Sequence, residues 1–350
     1  MNVYTDSQIR NIIYKTALAH GFAGMRMLKL HKLDAWHKYS ALYGTGCAMP
    51  YDLPTAYPDA KAALLLIWAY APYENGGHIS SYYPASNASY HASKAVEAEL
   101  NAAGIAAERA FIPARALCIA NGVGHQGKNG LLSIAPYGTR IALETLLIYS
   151  PVEPNAEQVC TEGGCPEGCT ACISACPMGA ITADGLNVTR CMRYIMNSGY
   201  TEEIWQKQQT FLGCEICQTV CHKNAWLKKL PVPDDTAEAF ELRRLIAGNA
   251  KAARIIAGKN ITGNGRLTME AIAFAAREGQ CEAEIRACLS SPFEQVRMLD
   301  GETFFREILL GRCNACGVVC GFNFRFGKGA SANADTLTAL CKDAGIACRI

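Results

Sequence analysis

Residues 165–177 read Cys165-Pro-Glu-Gly-Cys169-Thr-Ala-Cys172-Ile-Ser-Ala-Cys176-Pro177, and residues 214–221 read Cys214-Glu-Ile-Cys217-Gln-Thr-Val-Cys221. Cys191 lies between these stretches, so eight thiols form two groups of four. An iron–sulfur cubane needs four thiolates that converge on one point, and a tight loop supplies three while a distant residue supplies the fourth. The spacing therefore predicts one 4Fe-4S cluster at Cys165, Cys169, Cys172 and Cys221, and a second at Cys176, Cys191, Cys214 and Cys217.

Two features depart from the C-x2-C-x2-C-x3-C-P pattern of bacterial two-cluster ferredoxins. Three residues separate Cys165 from Cys169, with Cys160 as a competing first ligand, and His222 follows Cys221 where that pattern has proline. The alternatives are structural zinc and disulfides. Zinc sites pair two C-x2-C units more symmetrically, so the interleaved halves favour a ferredoxin-like domain.

The composition is that of a globular intracellular chain. Its 350 residues are 50% hydrophobic with a net charge of +2, so global charge gives no reason to expect a nucleic-acid or membrane partner. The start lacks a basic, apolar leader, and the longest apolar run, Ala62 to Tyr70, is too short to span a bilayer. Eighteen cysteines then favour metal ligands over disulfides, and we expect a cytoplasmic, reducing location.

Periodicity and linkers predict four domains. In residues 1–155, helices over Ser7–His20 and Ala92–Ala103 alternate with buried strands over Ala62–Tyr70 and Arg140–Ile148, while Arg115–Ala120 is helix or strand. Residues 156–228 form the double-cluster domain. Residues 229–300 are helical, with a HEAT-like pair over Glu270–Glu278 and Glu282–Leu289. Residues 301–350 form a cysteine-containing tail, and the whole is expected to be an α+β fold.

The tail repeats the spacing of the second motif. Cys313, Cys316 and Cys320 echo Cys214, Cys217 and Cys221. One interpretation is a third cluster, with a fourth ligand among Cys281, Cys288, Cys341 and Cys348. The other is a set of thiols that pack as small apolar groups. The sequence leaves both open.

Three segments together resemble the epoxyqueuosine reductase family over roughly residues 1 to 290. They are the glycine-rich run from Arg115 to Leu132, which contains Gly127-Lys128-Asn129, the following Pro136-Tyr137-Gly138, and the paired cysteine motifs. The Ser89-Tyr90-His91 element and the opening helix also correspond to family features. The cysteine motifs occur in many proteins, whereas the glycine-rich loop upstream of them is the specific part.

The resemblance implies a cytoplasmic oxidoreductase that reduces epoxyqueuosine to queuosine in tRNA, a step of queuosine biosynthesis. It implies cobalamin in a nitroreductase-like first domain, fed with electrons by the two clusters. Reduced flavodoxin or ferredoxin is the expected electron donor, and the chain is expected to be a monomer. The helical region would help to hold the tRNA.

The resemblance also assigns site residues. The candidates for binding cobalamin are Tyr90, His91, Gly124, His125, Gly127, Lys128, Asn129 and Tyr137. The family places an aspartate proton donor shortly before the Arg-Ala-Leu segment, and counting back from Arg115 puts Glu108 there. Glu108 is therefore the candidate catalytic acid, provided that burial raises its pKa. An equally open alternative is a surface charge beside Arg109, with Tyr90, His91 and His125 as reserve donors.

A basic stretch is the candidate RNA contact. Between Lys223 and Arg266 only four acids interleave nine basic residues: Lys223, Lys228, Lys229, Arg243, Arg244, Lys251, Arg254, Lys259 and Arg266. Such a surface binds phosphates, although a solvated helix face is the equal alternative. Trp226 could stack on a base or simply pack.

Two further functions are also compatible with the sequence. One is a paralogous reductase of another small substrate, which the unusual Glu108 and His125 favour. The other is a non-catalytic electron carrier with two or three clusters. The roughly 150 residues ahead of the clusters weigh against a carrier, because a carrier has no need of them.

Overall fold

The structure is a computed structural model that describes residues 4–44, 48–74, 79–154, 164–196, 202–210, 212–246, 248–258, 266–277, 296–312, 315 and 317–350. The chain divides into two compact units. Unit 1 comprises Met1–Ser198, Gln209–Phe240 and Lys251–Gly263, and unit 2 comprises Gly199–Gln208, Glu241–Ala250 and Asn264–Ile350.

A four-stranded sheet organises unit 1. Its strands are β1 (Gly24–Leu28), β2 (Ala62–Ala69), β3 (Ala107–Arg109) and β6 (Ile141–Ile148), in the order β1-β2-β6-β3. All three pairings are antiparallel, and Leu65 of β2 lies opposite Thr145 of β6. This antiparallel sheet packed with helices is the α+β arrangement. The strand predicted at Ala62–Tyr70 is confirmed.

The uninterrupted apolar run of β2 follows from burial on both faces. Leu64 and Leu66 belong to one core cluster, together with Ile9 and Ile13 of the first helix. Leu65 and Ile67 belong to the other, together with Leu117 of the glycine-rich segment. Successive strand residues point to opposite faces, so a strand covered on both sides needs apolar residues at every position.

Helices cover both faces of this sheet. In α1 (Asp6–Ala19), a capping box joins Thr5 and Gln8, and the buried Ile9, Ile13 and Ala17 recur every four residues. The predicted opening helix is thus confirmed. The remaining helices before the cysteine motifs are α2 (Asp34–Tyr43), α3 (Leu53–Ala56), α4 (Tyr82–Ala102) and α5 (Ala114–Ala120). The segment predicted as helix or strand at Arg115–Ala120 is a helix.

Short elements carry the cysteine motifs. Hairpin β4 (His125–Gln126)–β5 (Leu132–Ser133) precedes them, and hairpin β7 (Ile181–Thr182)–β8 (Gly185–Leu186) lies between them. The associated helices are α6 (Ala171–Ala175), α7 (Met192–Ile195) and α9 (Ile216–Thr219). Helices α10 (Asp234–Ala239) and α12 (Lys251–Ala257) complete unit 1.

Unit 2 contains α8 (Glu202–Lys207), α11 (Leu242–Ile246) and α13 (Arg266–Arg277). The first helix of the predicted HEAT-like pair forms within α13, and its partner Glu282–Leu289 lies outside the described residues. The tail adds α14 (Gly301–Thr303), a π-helix over Phe304–Arg312, α15 (Ala334–Asp343), and the strands β9 (Gly317–Val319), β10 (Arg325–Phe326), β11 (Ala332–Asn333) and β12 (Ala347–Arg349). Strands β9 and β12 are parallel.

The tail has its own small core. Phe305, Phe326 and Leu337 surround the buried Cys341, and Cys320 and Cys348 pack against the same cluster. These three thiols therefore occupy apolar positions. Cys313 and Cys316, the other predicted ligands of a third cluster, lie outside the described residues.

Among the residues that the structure describes, no helix is both long and apolar enough to cross a membrane.

Candidate iron–sulfur centre and the adjoining cavity

Four cysteines from both motifs line one cavity. Cys165, Cys169 and Cys172 come from the first motif, and Cys221 comes from the end of the second. Helix α6 carries Cys172 and packs against α9, which ends just before Cys221. The cysteine that the spacing assigned across the motifs thus lies with the first three. We name this space the cluster-one cavity.

The other four thiols form a second group. The charges of Cys176 and Cys191 act on both Cys214 and Cys217. Burial, with a smaller contribution from the neighbouring thiols, raises the pKa of Cys214 to about 11 and that of Cys217 to about 12. Thiols crowded in this way are stable only when protonated or bound to a cation, because thiolates side by side repel one another.

The eight thiols fit iron–sulfur cubanes by their chemistry. All eight thiols are free, so none of them forms a disulfide. Within the described ranges, no three His, Cys, Asp or Glu side chains are gathered closely enough to hold a single metal ion. The ligands of a cubane bind different iron atoms, so they stand further apart than the ligands of one zinc ion. Two sets of four thiolates are the donors that two cubanes need.

The glycine-rich loop forms one wall of the cluster-one cavity. His125, Gly127, Lys128 and Asn129 all line it. The Lys128 ammonium donates a hydrogen bond to the carbonyl of Cys169, at 2.8 Å. A Cβ atom on Gly127 would lie 2.8 Å from Asn129 Oδ1, so another residue here would require the Asn129 side chain to move, and it would make an ordinary contact of 3.7 Å with Cys165 Sγ. The loop therefore contacts the first cysteine motif directly through Lys128.

A second cavity lies on the other side of β4. It has a volume of about 400 Å³, and its lining includes Trp36, Tyr39, Arg115 and Gln126. His125 and Gln126 are neighbours on β4, and neighbouring strand residues point to opposite faces. One therefore lines the cluster-one cavity and the other lines this second cavity. Burial lowers the pKa of Arg115, whose guanidinium donates to the carbonyl of Gly130.

Several predicted site residues lie elsewhere. Tyr90 is exposed on α4, where its ring contacts His91 and lies 4.3 Å from the Arg109 guanidinium. Tyr137 donates a hydrogen bond to the carbonyl of Ala23 at 2.7 Å. None of these three predicted residues lines either cavity.

Glu108 also lies outside both cavities. It is exposed on β3 and accepts a hydrogen bond of 2.9 Å from the Tyr149 hydroxyl. Burial and the Glu108 carboxylate together raise the pKa of Tyr149 to about 12. The prediction of a general acid depended on the burial of Glu108, and the structure does not provide that burial.

Sequence reasoning missed the groups that hold the second motif. Arg140, Ser80 and Asn224 are buried, and each forms a hydrogen bond to a residue of that motif. Arg140 appeared only as the start of a strand. A buried arginine gives no periodic signal that distinguishes it from an exposed one.

The buried thiol of Cys118 supports a reactivity prediction. Cys118 lies on α5 with no exposed surface, and burial raises its pKa to about 12. Thiolates are the reactive form, so we expect alkylation at pH 8 to be about 100-fold or more slower at Cys118 than at Cys320. Peptide mass spectrometry after timed iodoacetamide treatment measures this. Cys118 should react after denaturation, and equal native rates would contradict the burial.

Two groups of four cysteines are the donor set of a double-cluster iron–sulfur domain. A family model described as a 4Fe-4S double cluster binding domain matches residues 165–224. Epoxyqueuosine reductase of Lactococcus garvieae is 37% identical over 110 residues, which cover 29% of this chain and 29% of that protein. The predicted resemblance to epoxyqueuosine reductases is thus confirmed in sequence over those residues.

Solved structures extend the similarity of the fold. The structure of epoxyqueuosine reductase from Streptococcus thermophilus matches with a TM-score of 0.62 at 19% identity, over 97% of this chain and 100% of that one. An epoxyqueuosine reductase crystallised with a tRNA-Tyr epoxyqueuosine-modified tRNA stem loop matches with a TM-score of 0.63 at 19% identity, over 87% and 89%. At this level of identity the likeness shows the fold alone.

The tail resembles a different family. A model described as FAD synthetase matches residues 275–350. This range includes the small core around Cys341. The sequence match to the Lactococcus garvieae protein spans only 29% of the length of that protein.

Proposed function

We propose that this protein reduces epoxyqueuosine to queuosine in tRNA. The observation that carries the proposal is the adjacency of a four-cysteine cavity and an open 400 Å³ cavity on the two sides of β4. An electron carrier needs the first and has no use for the second. The reaction consumes two electrons and two protons: both epoxide C–O bonds break, a C=C bond forms, and the oxygen leaves as water.

Cobalamin is the proposed second cofactor. Trp36, Tyr39, Arg115 and Gln126 would hold it, because they combine flat aromatic faces with donors for the amides of a corrin. The 400 Å³ cavity is smaller than a corrin, so only part of the cofactor would lie inside. When bound, cobalamin would supply a low-valent metal that delivers the two electrons of the reduction. The nitroreductase-like character of the first domain and the HEAT-like character of the helical region belong to the same proposal.

Neither His125 nor Glu108 lines the second cavity, because His125 faces the cluster-one cavity on the other side of β4. Glu108 stays a candidate proton donor only if tRNA binding encloses it, since it is exposed on β3. In that case Tyr149, which already donates to Glu108, would be enclosed with it.

The proposed RNA contact in unit 1 centres on Trp226. Its indole is 60% exposed, and its ring nitrogen donates to the carbonyl of Lys223 at 3.1 Å. Lys228 and Lys229 follow two and three residues later and are exposed. An exposed aromatic ring beside free ammonium groups combines base stacking with phosphate attraction.

Anaerobic turnover tests the proposed function. The iron-loaded chain is mixed with cobalamin, a chemical reductant and a tRNA stem loop that carries epoxyqueuosine, and the nucleoside is analysed by mass spectrometry. Loss of one oxygen atom per nucleoside is expected. A chain that binds cobalamin but leaves the nucleoside intact would point to a paralogue with another substrate. A chain that takes up electrons reversibly and binds no cobalamin would be a carrier.

Replacing Trp226 should weaken RNA binding. We expect Trp226→Ala to reduce affinity for the stem loop roughly tenfold, because one base–aromatic stack contributes about 1–3 kcal/mol. Lys228→Ala should reduce the salt dependence of binding by about one phosphate contact. Fluorescence anisotropy at several salt concentrations measures both effects. Lys15→Ala, an exposed lysine of α1, is the control, and equal losses in all three variants would refute the contact.

A further inference from the structure

Arg140 is the largest fully buried side chain among the described residues, and it carries a charge. It lies one residue before β6, and its Nη1 atom is 2.7 Å from Oε2 of Glu215. The side chains of Arg140 and Glu215 are only 2% and 14% exposed. Glu215 lies between Cys214 and Cys217, two of the thiols assigned to the second cluster.

Glu215 is also held from a third element. Its Oε1 atom accepts hydrogen bonds from Ser80 Oγ at 2.6 Å and from the backbone N–H of Tyr82 at 3.1 Å, at the start of α4. Arg140 Nη2 donates to Thr219 Oγ1 at 3.4 Å, further along the same loop. The loop from Cys214 to Cys221 is therefore bonded both to the residue before β6, one of the two middle strands of the sheet, and to the start of the longest described helix.

The far end of this loop is fixed by the residue before Arg140. Asn224 Oδ1 accepts the backbone N–H of Thr139 at 2.9 Å, and Asn224 Nδ2 donates to Thr139 Oγ1 at 2.8 Å. A Cβ atom on Gly138 would lie 2.6 Å from the carbonyl oxygen of Lys223, so this close approach requires glycine. Residues 138 to 140 thus contact both ends of the loop from Cys214 to Cys221, which contributes ligands to both clusters.

A buried ion pair is costly to assemble, and apolar residues of similar size often stabilise a protein equally well. Packing alone therefore does not explain charges at this position. A fixed charge close to a cluster shifts its reduction potential, because the reduced cluster carries one more negative charge. Unpaired, Glu215 would disfavour reduction, and unpaired Arg140 would favour it.

We propose that Arg140 is a positioning residue for the second cluster and that its pairing with Glu215 sets the potential of that cluster. The inference rests on the double-cluster site and needs neither cobalamin nor tRNA. It therefore stands or fails independently of the proposed reductase activity.

The proposal predicts that removing Arg140 and removing the charge of Glu215 shift the reduction potential of the second cluster in opposite directions. EPR-monitored redox titrations of the full iron-loaded chain would measure both clusters, with the second identified by its survival in Cys221→Ser. Arg140→Met should shift the second cluster to a more negative potential, and Glu215→Gln should shift it to a more positive one. The double variant should return close to the original value. The first cluster should shift less than the second, because Glu215 directly follows Cys214, a ligand of the second cluster, and its charge acts on that thiol.

Matched controls separate charge from folding. Arg109→Met removes a different ion pair on the same sheet, Arg109–Glu144 at 3.2 Å, and should leave both potentials unchanged. If Arg140→Met fails to load iron, two milder variants replace it. Arg140→Lys keeps the charge, and Glu215→Gln keeps the hydrogen-bonding shape of the side chain. The positive shift of the reduction potential in Glu215→Gln then decides. Shifts of the same sign in Arg140→Met and Glu215→Gln, equal shifts in both clusters, or no shift in Glu215→Gln would overturn the proposal.

Discussion

Cys221→Ser is expected to remove about four of the eight iron atoms per chain and to leave the second cluster intact. Cys221 belongs by sequence to the second motif, yet it lines a cavity with Cys165, Cys169 and Cys172. A serine oxygen is a poor substitute for thiolate on iron. Iron analysis and EPR after anaerobic reconstitution measure the loss. Turnover in the proposed reductase reaction should also disappear, because that reaction needs electrons from both clusters.

The reciprocal variant and a control sharpen this test. Cys176→Ser should remove the other four iron atoms, although Cys176 belongs to the first motif. Cys320→Ser should change nothing, because that thiol packs against the apolar core of the tail. About twelve iron atoms in the unaltered chain, with a loss in Cys320→Ser, would establish a third cluster. Loss of the second cluster in Cys221→Ser would show that the ligands do not cross.

Leu65→Ala is expected to lower the free energy of unfolding by about 2–5 kcal/mol. Leu65 is at the centre of β2, has no exposed surface, and contributes to the core between the sheet and α5. Truncation removes apolar contacts and leaves a cavity that the paired strands on both sides cannot close. Denaturant unfolding of the chain, followed by circular dichroism, measures the change.

A surface leucine provides the matched control. Leu42 of α2 is 74% exposed, so Leu42→Ala should change the free energy of unfolding by less than about 0.5 kcal/mol. Similar losses at both positions would mean that β2 does not lie inside a core. Retained iron in Leu65→Ala would further show that the cysteine motifs hold their clusters in a weakened sheet.

Local patterns predicted the elements well. The capped, four-residue periodicity of α1 and the apolar run of β2 each depend on residues close in sequence, so they could be recognised without the fold. The same holds for the cysteine spacing, which predicted that Cys221 joins the first three thiols. Glu108 shows the limit: counting from a motif located it in the sequence, but its exposure depends on β3 lying at the sheet edge.

By itself, the amino-acid sequence determined that this is a protein of two four-cysteine groups behind an α+β domain. Thiolate ligands must follow one another at short, fixed intervals, and a strand covered on both faces must be apolar throughout. Only the tertiary structure decided that Arg140 meets Glu215, that His125 and Gln126 face different cavities, and that Glu108 faces solvent. These outcomes depend on contacts between residues far apart in the chain, and no local pattern encodes which distant charge or cavity a side chain will meet.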